Sequence, residues 1–439
     1  MANNEAFDEE IDRREYRRKR RVRNQIIAYA VLVIFLAVLI VGGIIGVSKI
    51  MTGMRDKQQA EELQKQLEEL SKEEEPAIVE APVEAEEPVE EKDYLDEIVD
   101  ACIAEMPIED KVAGLFMITP EALTDTDTVI KAGDTTKEKL GEYAVGGLIY
   151  FSKNIKDADQ LKEMLSNTRS WSKYPIFLGI DEEGGRVSRV AEKGLADNVG
   201  DMAEIGATGD AAKAQEAGTA IGGYLSEFGF NLDFAPVADV VAEGNTTIGA
   251  RSFGSDPNLV ASMAAATVEG IQSAGVSACL KHFPGLGDTT EDTHEGMANT
   301  EKTLDDFNAV DFLVYQAGIE AGTDFIMVSH LSAHNVTGDN TPASLSDKMI
   351  TEILRGQLGY QGVVITDAMN MTAITDYYTA DEAAIKALQA GADMILMPED
   401  FKTAYQGVID AVNDGTLTED RINESLRRVY RIKYKDKVE

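Results

Sequence analysis

The chain has four histidines, and two of them, His282 and His294, fall within the stretch KHFPGLGDTTEDTH. Asp288, Glu291 and Asp292 lie between them and Glu295 follows. Histidines among carboxylates can hold a metal or move protons. The spacing argues against a metal: there is no HxH, HExxH or CxxC pattern anywhere near, and dedicated zinc sites use such short repeats. Asp292 stands two residues before His294, close enough to orient its imidazole and support the protonated form. A third group, Asp367, ends the apolar run VVITD. A carboxylate fixed on a rigid strand, facing a His/Asp pair, suits nucleophilic attack combined with acid/base chemistry, as in glycoside hydrolysis.

Such groups must be carried by rigid elements, and the sequence supplies them. Short apolar runs recur at 115–119 (LFMIT), 146–151 (GGLIYF), 175–181 (PIFLGID), 230–237 (FNLDFAPV), 276–283 (VSACLKHF), 324–330 (DFIMVSH), 362–369 (GVVITDAM) and 393–399 (DMILMPE). Amphipathic stretches such as DADQLKEMLSNTRSW and DEAAIKALQAGA separate them. Eight buried runs alternating with helices predict an α/β fold with a parallel sheet, and eight is the number that closes a single (β/α)8 TIM-type barrel. An open doubly wound sheet would carry a glycine-rich phosphate loop after its first strand; LFMITPEALTD has none. Polar residues gather at the ends of the runs: Asp181, Lys281 with His282, His330 and Asp367. In a barrel those ends open on one face, where active sites sit.

The motifs IDEEGGRVSR (180–189), FAPVADV (234–240), IGARSFGSDP (248–257), KHFPG (281–285), DTH (292–294) and VITDAMNM (364–371) occur in this order. Together they resemble glycoside hydrolase family 3, in its bacterial β-N-acetylglucosaminidase (β-N-acetylhexosaminidase) branch. The resemblance covers nearly all of 94–439. It implies a retaining exo-hydrolase that removes terminal β-linked N-acetylglucosamine from peptidoglycan-derived or related glycans. Asp367 would form the glycosyl-enzyme, His294 would be the acid/base and Asp292 its partner. Asp181, Arg189, Arg251, Lys281 and His282 match the family's sugar-binding positions. No metal or cofactor is implied. One letter departs from the usual pattern: Leu286 stands where the family has a second histidine. Two alternatives remain open, a catalytically impaired barrel that binds wall glycans and a β-glucosidase or β-xylosidase of the same family.

The rest of the chain bears on placement and partners. A net charge of -37 excludes a general nucleic-acid binder, which needs a basic face to displace counterions. Residues 26–47 are uncharged and apolar. As a helix they would extend about 33 Å, enough to cross a bilayer core. Arginines and lysines crowd 13–23 before them, and the positive-inside rule then places the N-terminus in the cytoplasm. The expected layout is a basic cytoplasmic segment (1–25), a transmembrane helix (26–47) and an acidic stalk rich in glutamate and proline (48–93). The catalytic domain (94–439) would follow on the extracellular side of the cell membrane, tethered in a single pass.

Overall fold

A computed structural model describes residues 94–242, 244–289 and 296–435. Contacts divide the chain into Met1–Glu90 and Glu91–Glu439, and the described residues all belong to the second unit.

The eight apolar runs each contain a strand: β1 Phe116–Ile118, β2 Gly147–Tyr150, β3 Phe177–Ile180, β4 Leu232–Asp233, β5 Ser277–Phe283, β6 Phe325–Val328, β7 Val363–Thr366 and β8 Ile395–Leu396. Each pairs in parallel with its sequence neighbour, and β1 also pairs with β8 through Phe116↔Ile395 and Met117↔Leu396. The ring closes between β7 and β8 through the Ile365↔Met394 bridge and the Thr366 amide, which donates to the Met394 carbonyl at 3.1 Å. This is a (β/α)8 barrel. Its strands are mostly apolar because their inner faces pack together and their outer faces meet helices; β1, β2, β3 and β7 are buried along their whole length.

The outer layer consists of α1 Tyr94–Glu105, α2 Asp134–Glu142, α3 Ala158–Trp171, α4 Ala211–Phe228, α5 Pro257–Ser273, α6 Asp311–Glu320, a π-helix Lys348–Gln357, α7 Ala380–Ala390, α8 Phe401–Asn413 and α9 Glu419–Tyr434. Side-chain caps set many of their starts. Asp157, Asp256 and Thr418 each accept an amide of the first turn, satisfying donors that have no partner inside the helix. The turn after α7 needs a left-handed residue, and Gly391 supplies it at φ 107°.

The barrel seam has its own lock. Asp393, fully buried, accepts from the Arg355 guanidinium, from Arg428 Nη1 at 3.0 Å, from Ser425 Oγ at 2.7 Å and from the Val364 amide at 2.9 Å. One carboxylate thus ties β7, the π-helix and α9 at the point where the ring closes.

The membrane expectation is corrected. Among the described residues no helix is long and apolar enough to cross a membrane. The longest, α4, has Lys213, Glu216 and Glu227 on its exposed side, as a helix covering a barrel must. The segment 26–47 expected to span, and the stalk 48–93, lie outside the described residues. The single-pass placement, the extracellular position of the catalytic domain and the membrane partner inferred from that segment are therefore not carried forward.

Candidate active site

A cavity of about 650 Å³ opens at the C-terminal ends of the strands, a size usual for small-molecule sites. Its walls hold Asp181, Arg189, Arg251, Lys281, His282 and Asp367. All the described residues that the sequence marks as site candidates therefore meet in one place. Asp292 and His294 lie outside the described residues.

One wall of the cavity is built on an ion-pair network. Asp181 immediately follows β3, and Lys281 lies on β5. Lys281 Nζ is 2.7 Å from Asp181 Oδ1 and 2.6 Å from Glu183 Oε1. Arg251 forks onto the same Glu183, with Nε at 2.7 Å and Nη2 at 2.8 Å. Burial alone would raise the Glu183 carboxyl, but Lys281 and Arg251 outweigh it and hold it far below the usual carboxylate range. Burial likewise disfavours the Lys281 ammonium, yet Asp181 and Glu183 push it up instead. Glu183, Lys281 and Arg251 are thereby held in their ionised forms. Asp181, with 18% of its side chain exposed, keeps acceptor capacity for sugar hydroxyls. Lys281, almost wholly covered, already gives two of its three protons to protein.

Glu183 was not marked by the sequence. In DEEGG it is one acid of three, and nothing in the string shows which is buried. Its neighbour Glu182 turns the other way. It accepts the amides of Val190 at 2.8 Å and Ala191 at 3.0 Å and the Tyr224 hydroxyl at 2.8 Å, holding the hairpin formed by Glu182–Gly184 and Val187–Ser188. Arg251 also changes in meaning. Both its hydrogen bonds go to Glu183, so it braces the wall. Arg189 lies on the same cavity with its guanidinium 6.0 Å from the Phe151 ring. Its buried Nε has no hydrogen-bond partner within the protein.

His282 follows Lys281 on β5, and its Nδ1 is 2.7 Å from Asp239 Oδ2. A carboxylate only accepts, so Nδ1 carries the proton and the other ring nitrogen is the one left for the cavity. Asp239, in FAPVADV after β4, is another residue that the sequence reading missed. Its signal was the paired position of an acid and a histidine at neighbouring strand ends, which becomes visible only once β4 and β5 are known to be adjacent.

Asp367 follows β7 on the far wall. Its Oδ1 accepts the Ala368 amide at 2.7 Å. Burial pushes its pKa up, but the nearby His330, His282, that amide and Lys281 together bring it below the ordinary aspartate value. It is ionised at neutral pH, as a nucleophile must be. His330 is fully buried and braces this segment. Its Nε2–H donates to the Ala368 carbonyl at 3.0 Å, and Nδ1 meets the Ser344 hydroxyl at 2.8 Å.

A parallel eight-stranded barrel with an ionised carboxylate in a charged cavity at the C-terminal ends of its strands fits the (β/α)8 glycoside hydrolase class. The chain belongs to glycosyl hydrolase family 3, whose N-terminal domain matches residues 107–432. It is 33% identical over 328 residues to beta-hexosaminidase A of Pseudoalteromonas piscicida, covering 68% of this chain and 54% of that protein. It therefore spans about half the length of that relative. It is 35% identical over 266 residues to a beta-hexosaminidase of Stenotrophomonas maltophilia strain K279a, covering 60% and 78%. A family 3 beta-N-acetylglucosaminidase from Paenibacillus sp. str. FPU-7 superposes with a TM-score of 0.70 at 35% identity, over 76% of this chain and 63% of that one. A beta-N-acetylhexosaminidase from Beutenbergia cavernae does so at 0.66 and 30%, over 75% and 99%.

Proposed function

We propose that this chain is a retaining exo-β-N-acetylglucosaminidase acting on the terminal β-linked N-acetylglucosamine of peptidoglycan-derived or related glycans. The observation that carries the reading is Asp367, held ionised on the cavity wall by His330, His282, the Ala368 amide and Lys281. Relatives named beta-hexosaminidase support the choice of sugar. The Asp292/His294 pair supports it from the sequence, because a histidine acid/base belongs to the acetamido-sugar branch that the motifs resemble.

In the first step a carboxylate oxygen of Asp367 bonds to the anomeric carbon as the glycosidic C–O bond breaks. The His294 imidazolium, supported by Asp292, gives its proton to the departing oxygen. In the second step the neutral imidazole takes a proton from water, whose oxygen displaces Asp367 and restores the β configuration. Asp181 accepts from ring hydroxyls, Arg189 supplies donors, and His282 presents its second ring nitrogen to the sugar. The Lys281–Glu183–Arg251 network keeps this wall in place so that binding energy is not spent on ordering it.

The test is turnover of nitrophenyl N-acetyl-β-glucosaminide beside nitrophenyl β-glucoside and β-xyloside, for the wild type and Asp367→Asn. The expected result is release from the acetamido sugar alone, lost in the variant. Glycan binding without turnover would instead indicate a binding barrel. Faster release from the glucoside or xyloside would reassign the sugar.

A further inference from the structure

Asp239 touches two segments at once. It is fully buried. Oδ2 takes His282 Nδ1 at 2.7 Å, and Oδ1 takes the Leu286 amide at 2.7 Å. Leu286 begins the chain that leads into 290–295, and the rest of that root is held by the segment following Asp239. Asn245, itself buried, directs its side-chain amide at the carbonyls of Leu286 (2.9 Å), Gly287 (3.2 Å) and Thr289 (2.8 Å). The Ala242 amide donates to the Gly287 carbonyl at 2.8 Å. A Cβ on Gly287 would come within 1.9 Å of the Val240 carbonyl oxygen, so the two segments meet backbone to backbone. On the downstream side, Thr300 Oγ1 donates to Asp288 Oδ2 at 2.8 Å, and Ala298–Asn299 pairs with Leu331–Ser332.

We propose that Asp239 is a positioning residue with two outputs: one oxygen aims His282 at the sugar, and the other sets the root of the chain that carries His294. Sugar binding and proton delivery then take their register from one carboxylate. This rests on the reading of His294 as the acid/base. At position 286 the contact with Asp239 is made by the backbone amide and so does not depend on the leucine side chain.

The experiment is a double-mutant cycle read with two leaving groups. Asp239→Asn, His282→Ala and the double variant are assayed on a nitrophenyl N-acetyl-β-glucosaminide, whose leaving group departs without a proton, and on an alkyl one, which needs protonation. His282→Ala is expected to raise KM for both substrates alike. Adding Asp239→Asn to it should lower kcat/KM by about tenfold more on the alkyl glycoside, and by less than about threefold on the nitrophenyl one. Silence of Asp239→Asn in the His282→Ala background would show that it acts through His282 alone and overturn the second output. Equal extra losses on both substrates would overturn it too, as a general loosening. Should Asp239→Asn fail to fold, Asn245→Ala grips the same root without touching His282. It should give the leaving-group-dependent loss with unchanged nitrophenyl KM, and its silence counts against the proposal. His294→Ala is the control for the underlying reading. If its loss is the same on both substrates, the acid/base assignment fails and the second output fails with it; if its loss is leaving-group dependent and those of Asp239→Asn and Asn245→Ala are not, only the Asp239 proposal fails.

Discussion

Replacing Glu183 by glutamine keeps the shape of the side chain and removes one charge. Three donors reach that carboxylate, two from Arg251 and one from Lys281, at 2.6 to 2.8 Å. The Glu183 and Lys281 side chains are only 2% and 3% exposed, and Arg251 is 15% exposed, so water cannot replace what is lost. Glutamine offers one acceptor and turns an NH2 group toward cations on its other side. Breaking a buried pair from one end costs about 3–5 kcal/mol. For a domain of this size that is a fall in Tm of roughly 4–7 °C. Lys281 would keep only Asp181, and this wall of the cavity would shift; if it holds the sugar as proposed, KM should rise by about tenfold or more. Thermal denaturation and steady-state kinetics on the aryl N-acetylglucosaminide measure both effects. Removing the orphaned cation as well, in Glu183→Gln/Arg251→Met, should recover part of the lost stability. The pH dependence follows from the same contacts. The folded-state pKa of Glu183 lies below its unfolded value, so its contribution is present above about pH 4.5 and is lost as pH falls toward the folded value. The variant should show a correspondingly weaker loss of stability in acid. A change below about 1 kcal/mol in Glu183→Gln, with KM unmoved, would refute the view that this network organises the wall.

Further predictions concern other parts of the barrel. Lys433 Nζ is buried without a hydrogen-bond partner, and burial lowers its pKa to about 7. Between pH 7 and the ordinary lysine value the unfolded chain holds a proton that the folded chain has released, so stability should climb with pH across that window. The gain is up to about 2–3 kcal/mol from pH 7 to 9, reduced by about 1–2 kcal/mol because the Phe177 and Tyr430 rings, 4.9 and 4.8 Å away, favour the cation. Lys433→Met should flatten the rise and increase Tm at pH 7; a lower Tm would contradict this. Asp393→Ala at the barrel seam strands Arg355 and Arg428 and should cost about 3–5 kcal/mol in urea denaturation, whereas an unchanged midpoint would show that the seam does not depend on it. Because Asp367 is held below its ordinary value of 3.8, the acidic limb of kcat/KM that reports its ionisation should fall below about pH 4, and a limb nearer pH 6 would argue against that environment.

Much of this barrel is legible in the sequence because parallel strands covered on both faces are uninterrupted apolar runs. VVIT at β7 and LIY within β2 could hardly be read otherwise. The run 230–237 shows the limit. It reads as one long strand, yet β4 is only Leu232–Asp233. Asp233 accepts the Glu182 amide at 2.9 Å, and Pro236 has no N–H to continue the ladder. Strand ends exposed Asp181, Lys281, His282 and Asp367 as candidates, since a polar group after a buried strand stands out. Glu183 and Asp239 escaped because their roles depend on which acid is buried and on which strands are neighbours. His330 was ambiguous for a similar reason. Its two ring contacts, to Ser344 and Ala368, come from segments far apart in sequence. The apolar segment 26–47 lies outside the described residues, and among those described no helix is long and apolar enough to cross a membrane.

The central claim is that Asp367 becomes covalently bonded to the sugar. A 5-fluoro derivative of an activated N-acetyl-β-glucosaminide slows the second step and lets the intermediate accumulate. Mass spectrometry of the protein, followed by peptide mapping, should then show one added sugar on the peptide containing Asp367, with none in Asp367→Asn. A label on another residue, or steady turnover of an N-acetyl-β-glucosaminide by Asp367→Asn, would contradict the assignment.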